Sequence, residues 1–347
     1  MGTNTAGSGV TVVIPTHNRA DMLEITLASV LAQVDVRFEV VVVDDGSDLH
    51  RRPARGLDDP RVRVVRHPVS RGVAASRNSG LAAASMPWVA FTDDDDLWAP
   101  EKLVAQLMAL QASPDARWSC VGAVHCDDDL RLIGHGQTPP PGDVSDLLLV
   151  RNRIPGGGSG VLAETVLVRE LGGFDEALSN SADSDMWIRL GLAAPLAPVA
   201  RPLLGYRVHG SGMSRQLDDI YREIGHVRAK YRAERAARGI TPGETVNVWI
   251  GDRHQRSGRR LQAARAYARA APAIGVLLAG ARAAEALVWP AAIHRRDVRR
   301  VRLIPTAWLT EAEGWLQPIR DDVARRSLEA PQRAGESARL TSHASRS

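Results

Sequence analysis

Short apolar runs alternate with amphipathic stretches along the chain as far as about residue 210. Phe38–Val43 is a near-continuous apolar run, typical of a strand covered on both faces, whereas Asp21–Gln33 carries apolar residues at helical spacing. The predicted strands are Val10–Pro15, Phe38–Val43, Val62–Val65, Trp88–Phe91, Trp118–Cys126 and a pair within Val199–His209, and the predicted helices are Asp21–Gln33, Ala74–Ala84, Pro100–Leu110 and Asp185–Leu192. This alternation predicts an α/β fold in which helices cover both faces of a largely parallel sheet.

The pattern changes near Arg215, where Ala- and Arg-rich helical segments begin and strand candidates of comparable strength end. The predicted helices there are Tyr221–Arg238, Arg259–Arg269 and Ile274–Leu287. After Leu328 the chain is rich in Ser, Ala and Arg without periodicity, which predicts disorder. We therefore expect a flexible leader at 1–9, an α/β domain at 10–214, a helical region at 215–327 and a disordered tail at 328–347.

Composition narrows the classes of function. Aromatic residues make up only 4% of the 347 residues and the formal charge is +4, so a nucleic-acid partner is not predicted. Cys120 and Cys126 are too few for a disulfide scaffold, and their even spacing on one strand predicts that they share a face. The start lacks a signal-peptide pattern, and the uncharged stretch Ala270–Ala281 is too short to span a bilayer. A cytoplasmic protein is expected, with peripheral contact at the inner face of the membrane left open.

Four consecutive aspartates, Asp93–Asp96, follow the strand predicted at Trp88–Phe91. Open α/β sheets bind ligands at the carboxyl ends of their strands, and crowded carboxylates raise each other's pKa values unless a cation neutralises them. Oxygen-only ligands indicate Mg²⁺ or Mn²⁺, commonly completed by substrate phosphates. The alternative is a solvated acidic turn. A second run, Asp127–Asp129, is followed by β character at Leu130–Ile133 and predicts a hairpin turn instead.

Seven pieces of sequence, in order, resemble the family 2 glycosyltransferases of the GT-A fold, inverting enzymes that use nucleotide-diphosphate sugars. The pieces are Val13-Ile14-Pro15-Thr16-His17-Asn18-Arg19, Val42-Val43-Asp44-Asp45-Gly46-Ser47, Arg71-Gly72-Val73-Ala74-Ala75-Ser76-Arg77-Asn78-Ser79-Gly80, Phe91-Thr92-Asp93-Asp94-Asp95-Asp96, Gly172-Gly173-Phe174-Asp175-Glu176, Asp183-Ser184-Asp185-Met186-Trp187-Ile188-Arg189-Leu190 and Tyr206-Arg207-Val208-His209. The resemblance covers roughly residues 10–214. It implies a GT-A fold with a mixed, mostly parallel sheet, helices on both faces and a helical region after it.

The resemblance also implies which residues bind the donor nucleotide. They are Pro15, Thr16, Asn18, Arg19, Asp44, Asp45, Arg77, Asn78, Asp93 and Asp94. Either carboxylate of Asp44-Asp45 can accept a hydrogen bond from a base imide or a ribose hydroxyl, although a strand-ending turn with a helix cap is the alternative. For Arg77, the alternative is a solvated residue on the face of a helix. Asp94 occupies the variable position of the family's D-x-D pattern, so solvation is its alternative.

The remaining implied roles concern the metal, the base and the acceptor. Asp95 and His209 are the implied metal ligands, and Asp183 is the implied general base, which removes the proton of the acceptor hydroxyl. Asp183 as a helix N-cap, and His209 as a solvated turn residue, are the alternatives. The sequence departs from the family where Ala182 replaces the usual Glu and Ser184 the frequent Trp. Further phosphate or acceptor contacts are expected at Asp96, Arg207, Asp185 and Trp187.

The leading hypothesis is therefore a metal-dependent inverting glycosyltransferase that uses Mn²⁺ or Mg²⁺. The favoured donor is a UDP-sugar, and the acceptor is a glycan, a lipid-linked glycan or a small molecule. A sugar nucleotidyltransferase is disfavoured because Pro15–Arg19 stands where a Gly-rich triphosphate loop is expected, and Ala182 suggests a non-catalytic nucleotide-sugar or carbohydrate-binding protein as a third hypothesis. The C-terminal helices could shape the acceptor site, form a homodimer or lie against anionic lipid.

Overall fold

The computed structural model describes residues 9–50, 53–209, 217–241, 246–289 and 291–344, with backbone alone at 217–219 and 326–344. The strands are β1 Val10–Thr16, β2 Phe38–Asp44, β3 Val62–Arg66, β4 Trp88–Phe91, β5 Leu97–Trp98, β6 Trp118–Cys126, β7 Leu132–Gly136, β8 Val161–Glu164 and β9 Val199–Arg207. The helices are α1 Ala20–Leu31, α2 Val73–Ala83, α3 Lys102–Gln111, α4 Ser145–Val150, α5 Thr165–Glu170, α6 Ala182–Ala193, α7 Leu217–Lys230, α8 Arg232–Ala237, α9 Val246–Arg256, α10 Arg260–Arg269, α11 Ala271–Ile274, α12 Val276–Val288, α13 Ala292–Val301 and α14 Thr306–Ala344.

The strands form one mixed sheet in the order β3-β2-β1-β4-β8-β6-β9-β5, with β7 paired to β6. Parallel pairs join β3, β2, β1 and β4, and also β6 to β9, whereas the other pairs are antiparallel. The register sets Thr16 opposite Asp44 and Val13 opposite Phe91. The loops that follow β1, β2 and β4 therefore meet at one edge of the sheet. The predicted α/β class with a mixed sheet is confirmed.

Strand β2 shows why the sheet is covered on both faces. Its valines alternate between two buried clusters, with Val40 and Val42 in one and Val41 and Val43 in the other. The first cluster includes apolar residues of α1, α3 and α14, and the second includes residues of α2, α4 and α6. Period-two alternation with no polar face is what a central parallel strand requires. Strand β2 therefore packs against helices on both faces of the sheet.

Two details of the strands differ from the sequence predictions. Within Val199–His209 there is one strand, β9 Val199–Arg207, and not a pair; β9 lies between β6 and β5. Cys120 and Cys126 are free and buried, but they lie in opposite core clusters, so the prediction of a shared face is wrong. Strand β6 is irregular between the two cysteines, because its pairing with β9 shifts register around Gly122 and its pairing with β7 shifts between His125 and Cys126.

The predicted hairpin turn at Asp127–Asp129 is confirmed. Strands β6 and β7 pair antiparallel on either side of it. The Asp127 carboxylate accepts hydrogen bonds from the amides of Asp129 at 3.0 Å and Arg131 at 2.8 Å. The acidic run therefore stabilises its own turn.

The predicted domain boundaries stay predictions. Residues 1–8 of the leader lie outside the described residues, and so does the boundary at 214/215. Helix α14 continues through residues 328–344, for which the sequence predicts a disordered tail, and 345–347 lie outside the described residues. No described helix combines the length and the apolar character needed to cross a bilayer.

Helix α14 is part of the α/β core, although it comes from the helical region. Leu316 is fully buried among apolar residues of the first cluster, and the Trp315 indole donates to the carbonyl oxygen of Pro202 at 3.0 Å. The C-terminal helices thus contribute to the stability of the sheet that carries the site.

We predict that Leu316→Ala lowers the free energy of unfolding by about 2–5 kcal/mol, because it leaves a cavity against the sheet. Gln317→Ala, on the exposed side of the same helix, is the matched control and should change stability by less than about 0.5 kcal/mol. Urea unfolding followed by circular dichroism measures both. Equal stability of the two variants would show that α14 does not pack on the core.

Candidate active site

A cavity of about 360 Å³ opens at the edge of the sheet where β1, β2 and β4 end. Loops from distant parts of the chain converge on it. It is lined by Pro15, Thr16, His17, Arg19, Asp45, Ser70, Gly72, Val73, Ser76, Asp93, Asp94, Asp95, Gly157, Ser179, Asn180, Tyr206, Arg207, His209, Trp249 and Arg253. Parallel strands present ligand-binding loops at this end, so the sheet topology explains the place of the cavity.

The two middle aspartates point in different directions. Asp94 accepts a hydrogen bond from the Thr16 hydroxyl at 2.8 Å and lies 3.1 Å from Nη1 of Arg19. Asp95 lies 2.9 Å from the same guanidinium atom and 2.8 Å from Nε2 of His209. Burial, followed by the charge of Asp95, raises the pKa of Asp94 to about 7. Burial also opposes the charge of Asp95, but the His209 hydrogen bond and nearby positive charges hold its pKa below the ordinary value.

The outer aspartates have separate partners. Asp93 is 2.5 Å from Nη2 of Arg77, which is itself almost fully buried. Asp96 has no exposed surface, and it accepts hydrogen bonds from the Ser159 hydroxyl at 2.5 Å and the Arg207 amide at 3.0 Å. Burial raises the pKa of Asp96 well above its ordinary value, and the charges of Asp95 and Asp93 raise it further. Asp96 therefore lies beneath the cavity floor, not on it.

Carboxylate oxygens of Asp93, Asp95 and Asp96 lie within 4.8 Å of one another. Asp94 is not part of this group, because its carboxylate turns towards the Thr16 hydroxyl. Three convergent carboxylates are hard oxygen donors, which suit Mg²⁺ or Mn²⁺. The donor set thus fits a divalent cation.

A glycine-rich loop, Gly156–Gly160, closes one side of the acidic cluster. Ser159 connects two of the aspartates, because its hydroxyl donates to Asp96 and accepts from the Asp93 amide at 2.9 Å. A side chain at Gly158 would collide with the Arg77 guanidinium and approach Asp93 Oδ1 to 3.4 Å. The backbone of this loop therefore approaches the charged groups as closely as glycine allows.

Asp183 lies on the other side of the same loop, near the start of α6. Its Oδ1 accepts the Ser184 amide at 2.6 Å, and its Oδ2 would lie 3.4 Å from a methyl group at Gly157. The residue is half-buried, and no ion pair to it is found among the described residues. Burial raises the pKa of Asp183, whereas the positive charge of Arg77 opposes this rise. A carboxylate with one oxygen available thus stands beside the acidic cluster.

Asp45 lines the cavity, yet both of its oxygens are occupied by protein donors. Its carboxylate accepts from the amides of Arg71 at 2.8 Å and Gly72 at 2.9 Å, and from the Ser70 hydroxyl at 2.7 Å, and lies 2.7 Å from Nδ1 of His67. Although burial disfavours its charge, these hydrogen bonds hold the pKa of Asp45 at about 2. Asp45 fixes the loop before α2 in its place at the cavity wall.

Asp44 and Asn18 do not line the cavity, and each binds a neighbouring loop. Asp44 is paired with Arg66 at 2.5 Å. Asn18 has a φ of +57°, its amide donates to the Ser47 hydroxyl at 2.8 Å, and its side-chain oxygen accepts the Asp48 amide at 2.9 Å. These two predicted nucleotide contacts lie behind the cavity wall in this structure.

Asn78 and Trp187 likewise serve the walls of the site. The Asn78 side chain donates to the carbonyl oxygen of Phe174 at 2.9 Å and accepts the amide of the same residue at 2.7 Å. The Trp187 indole donates to the carbonyl oxygen of Gly157 at 3.2 Å and is fully buried. Both residues therefore position backbone that surrounds the cavity, and neither lines it.

Asp185 is enclosed. Its side chain has no exposed surface, and its oxygens lie 2.7 Å from Arg189, 2.7 Å from Lys230 and 2.8 Å from the Tyr231 hydroxyl. This network joins α6 to α7. All of these partners belong to the protein, so Asp185 has a structural role in this arrangement.

Arg207 borders the cavity, but its guanidinium points into the protein. Nε donates to the backbone carbonyl oxygen of Asp95, and Nη2 lies 3.4 Å from the carbonyl oxygen of Met22. Burial lowers the pKa of Arg207. Its charge thus acts on the aspartates from inside the protein, and the direct phosphate contact stays a prediction.

Residues of the helical region also line the cavity, which the motifs did not indicate. Trp249 and Arg253 lie on α9, and the Arg253 guanidinium donates to the Tyr206 hydroxyl at 2.7 Å and lies 4.8 Å from the Trp249 ring. Trp249 is 43% exposed. Ser159 was missed as well, although the glycine-rich loop around it was the available signal.

Known proteins resemble this chain in sequence and in fold. Residues 11–160 match the family model described as "Glycosyl transferase family 2". A 232-residue stretch is 25% identical to an uncharacterized glycosyltransferase of Haemophilus influenzae, over 64% of this chain and 76% of that protein. A 99-residue stretch is 32% identical to the Escherichia coli UDP-Glc:alpha-D-GlcNAc-diphosphoundecaprenol beta-1,3-glucosyltransferase WfgD, over 28% of this chain but only 39% of that protein. S. aureus TarS 1–349 in complex with UDP-GlcNAc superposes with a TM-score of 0.52 at 16% identity, over 89% of this chain and 92% of that one.

Residues 11–160 therefore carry a family 2 glycosyltransferase domain, which supports a glycosyltransferase, and the chain has the GT-A fold. The family resemblance drawn from the seven motifs is confirmed. The match favours a sugar-transferring enzyme over a sugar nucleotidyltransferase.

We predict that Gly158→Ala lowers turnover of the nucleotide sugar by about 100-fold, since the added methyl displaces Arg77 and with it Asp93. Gly314→Ala is the control, because a side chain there meets open space on α14. Initial rates of nucleotide release measure both variants. If the Gly158 variant keeps its rate while its fold is intact, the close approach of this loop is not needed for activity.

Proposed function

We propose that this enzyme transfers a sugar from a nucleotide-diphosphate sugar to an acceptor hydroxyl with inversion, using a divalent cation and Asp183 as the general base. One observation carries the proposal: Asp183 and the acidic cluster lie on two sides of the same Gly157–Gly158 backbone. A donor diphosphate held at the cluster would thus present its anomeric carbon near the Asp183 carboxylate, which lies behind the cavity-lining residue Gly157.

Asp183 suits the role of the base. Its Oδ1 is held by the Ser184 amide, which fixes the orientation of the carboxylate, and no cation of the described residues pairs with it. Burial raises its pKa, and a higher pKa strengthens a base provided that the pH keeps it ionised. Ala182, which replaces the usual Glu, is buried in the core and does not face the site.

The donor would be bound by loops on the opposite wall. Pro15, Thr16, Arg19, Asp93 and Asp94 line the cavity and are the proposed direct contacts, while Asp45 lines it with both oxygens held by the protein. Asn18, Asp44 and Asn78 would act by fixing those loops. A UDP-sugar is the proposed donor, supported by the UDP-GlcNAc complex of TarS and by the UDP-Glc named for WfgD.

A divalent cation, Mn²⁺ or Mg²⁺, would be held by Asp93 and Asp95, with Asp96 beneath them. When bound, such an ion neutralises charge on a departing diphosphate. His209 contacts Asp95 directly and is the proposed additional ligand. Arg19 already neutralises part of this charge, since it lies within 3.1 Å of both Asp94 and Asp95.

The acceptor would enter on the side formed by the helical region. Trp249, Arg253 and Tyr206 line this wall, together with Ser179 and Asn180 from the turn before α6. An exposed indole offers an apolar face for a sugar ring, while the adjacent guanidinium and phenol offer hydrogen bonds. The C-terminal helices therefore contribute to acceptor choice in this proposal.

Asp183→Asn should lower kcat by about 100- to 10,000-fold with the donor KM nearly unchanged, because the amide cannot take the acceptor proton. In the native enzyme, kcat/KM should fall as the pH drops through a pKa above the ordinary value of Asp, since the protonated acid is inactive. Asp128→Asn, in the exposed hairpin turn, is the control. Rates across pH with a sugar acceptor test both points, and an Asn variant of normal kcat would exclude Asp183 as the base.

Asp95→Asn should weaken Mn²⁺ binding by at least about tenfold and abolish the metal dependence of the rate, because it removes a central charged ligand. Titration calorimetry with Mn²⁺ and UDP makes the measurement. Asp128→Asn serves again as a carboxylate control. Unchanged Mn²⁺ affinity in the Asp95 variant would place the cation elsewhere.

A further inference from the structure

Helix α12 exposes a face that carries no charge. Its buried side is marked by Ala279 and Ala286, and Ala286 packs with Ala263 and Tyr267 of α10. The exposed residues of the helix are Val276, Leu277, Leu278, Gly280, Ala281, Ala284, Leu287 and Val288. Leu277 is 91% exposed and Val288 is 84% exposed. A surface helix ordinarily turns polar residues outward, so an apolar outer face indicates a surface that something covers.

Helix α13, which lies next to α12, presents a basic surface. Arg295, Arg299 and Arg302 are exposed there, and no carboxylate of the described residues pairs with them. The Arg295 guanidinium lies 4.1 Å from the ring of Trp289, an exposed residue directly after α12. An indole stacked under a cation therefore marks the junction of the apolar and basic surfaces.

The segment that contains α12 and α13 is strongly basic. Residues 260–303 contain nine arginines, no lysine and only two acids, Glu285 and Asp297, which leaves a formal charge of +7. Both acids already pair with arginines, Asp297 with Arg256 at 2.5 Å and Glu285 with Arg296 at 3.7 Å. The outer surface is thus left with uncompensated positive charge.

We propose that α12 and α13 form a docking surface for an anionic lipid bilayer. The apolar face of α12 would enter the interface, and the arginines of α13 would contact lipid phosphates. A second copy of the chain fits less well, because two surfaces of this charge repel each other. A soluble polyanion would satisfy α13 but leave the apolar face of α12 in water.

One helix links this surface to the active site. Helix α9 contributes Arg253 to the cavity wall, while its Arg256 is paired with Asp297 of α13 at 2.5 Å and 2.6 Å. Two parallel hydrogen bonds of this kind fix the relative position of both helices. Docking through α13 would therefore set the position of the cavity relative to the bilayer.

Co-sedimentation of the full chain with phosphatidylcholine vesicles, with and without phosphatidylglycerol, tests the proposal. We expect binding to the anionic vesicles that weakens as salt is raised, and little binding to neutral ones. Leu277→Glu with Val288→Glu should lower the partition coefficient at least about tenfold. Arg295→Gln and Arg299→Gln should each lower it about fivefold.

Matched controls are Met108→Glu, an exposed apolar residue on α3, and Arg131→Gln, an exposed arginine in the β6–β7 turn. Both should bind vesicles like the native protein. Donor turnover without lipid should stay unchanged in every docking variant, which separates this test from that of the proposed function. Undiminished vesicle binding by the α12 and α13 variants, equal binding to neutral vesicles, or a dimer that Leu277→Glu dissociates without vesicle binding would overturn the proposal.

Discussion

Repulsion among four adjacent carboxylates at the end of β4 is the constraint on which the site depends. No sheet edge would hold Asp93–Asp96 together without positive charge and donors supplied from elsewhere in the chain. The structure supplies them from separate elements: Arg19 follows β1, Arg77 lies in α2, and His209 follows β9. The fold thus converges on the acidic cluster because each of its carboxylates requires a partner.

The same constraint explains the glycine-rich loop and the place of Asp183. Ser159 joins two of the aspartates through one hydroxyl, and Gly158 leaves room for the Arg77 guanidinium. Trp187 on α6 holds the carbonyl oxygen of Gly157 from beneath. Since Asp183 is on the same helix, one element carries both the residue that positions the loop and the proposed base. A mutation in this loop would disturb the donor side and the acceptor side together.

Much of the arrangement could be predicted from the sequence, because strand ends and motif order fix which loops meet. The place of Asp183 beside the cluster was implied by the family resemblance. The direction of each side chain does not follow: Asp94 and Asp95 are neighbours of the same type, yet only Asp95 joins the group that suits a metal. Asp45 and Asn78 could not be distinguished from ligand contacts either, since only the folded loops bring their partners close. These partners are backbone groups and, for Asp45, also the side chains of Ser70 and His67. Trp249 comes from a segment with no motif, so its place at the cavity is a result of helix packing alone.

The most direct measurement is an anomalous-scattering map of crystals grown with Mn²⁺ and UDP. The account predicts a manganese peak within bonding distance of carboxylate oxygens of Asp93 and Asp95, about 2.0–2.3 Å away, with Asp94 still on the Thr16 hydroxyl. A peak bound by Asp94 alone, or one away from the end of β4, would contradict it.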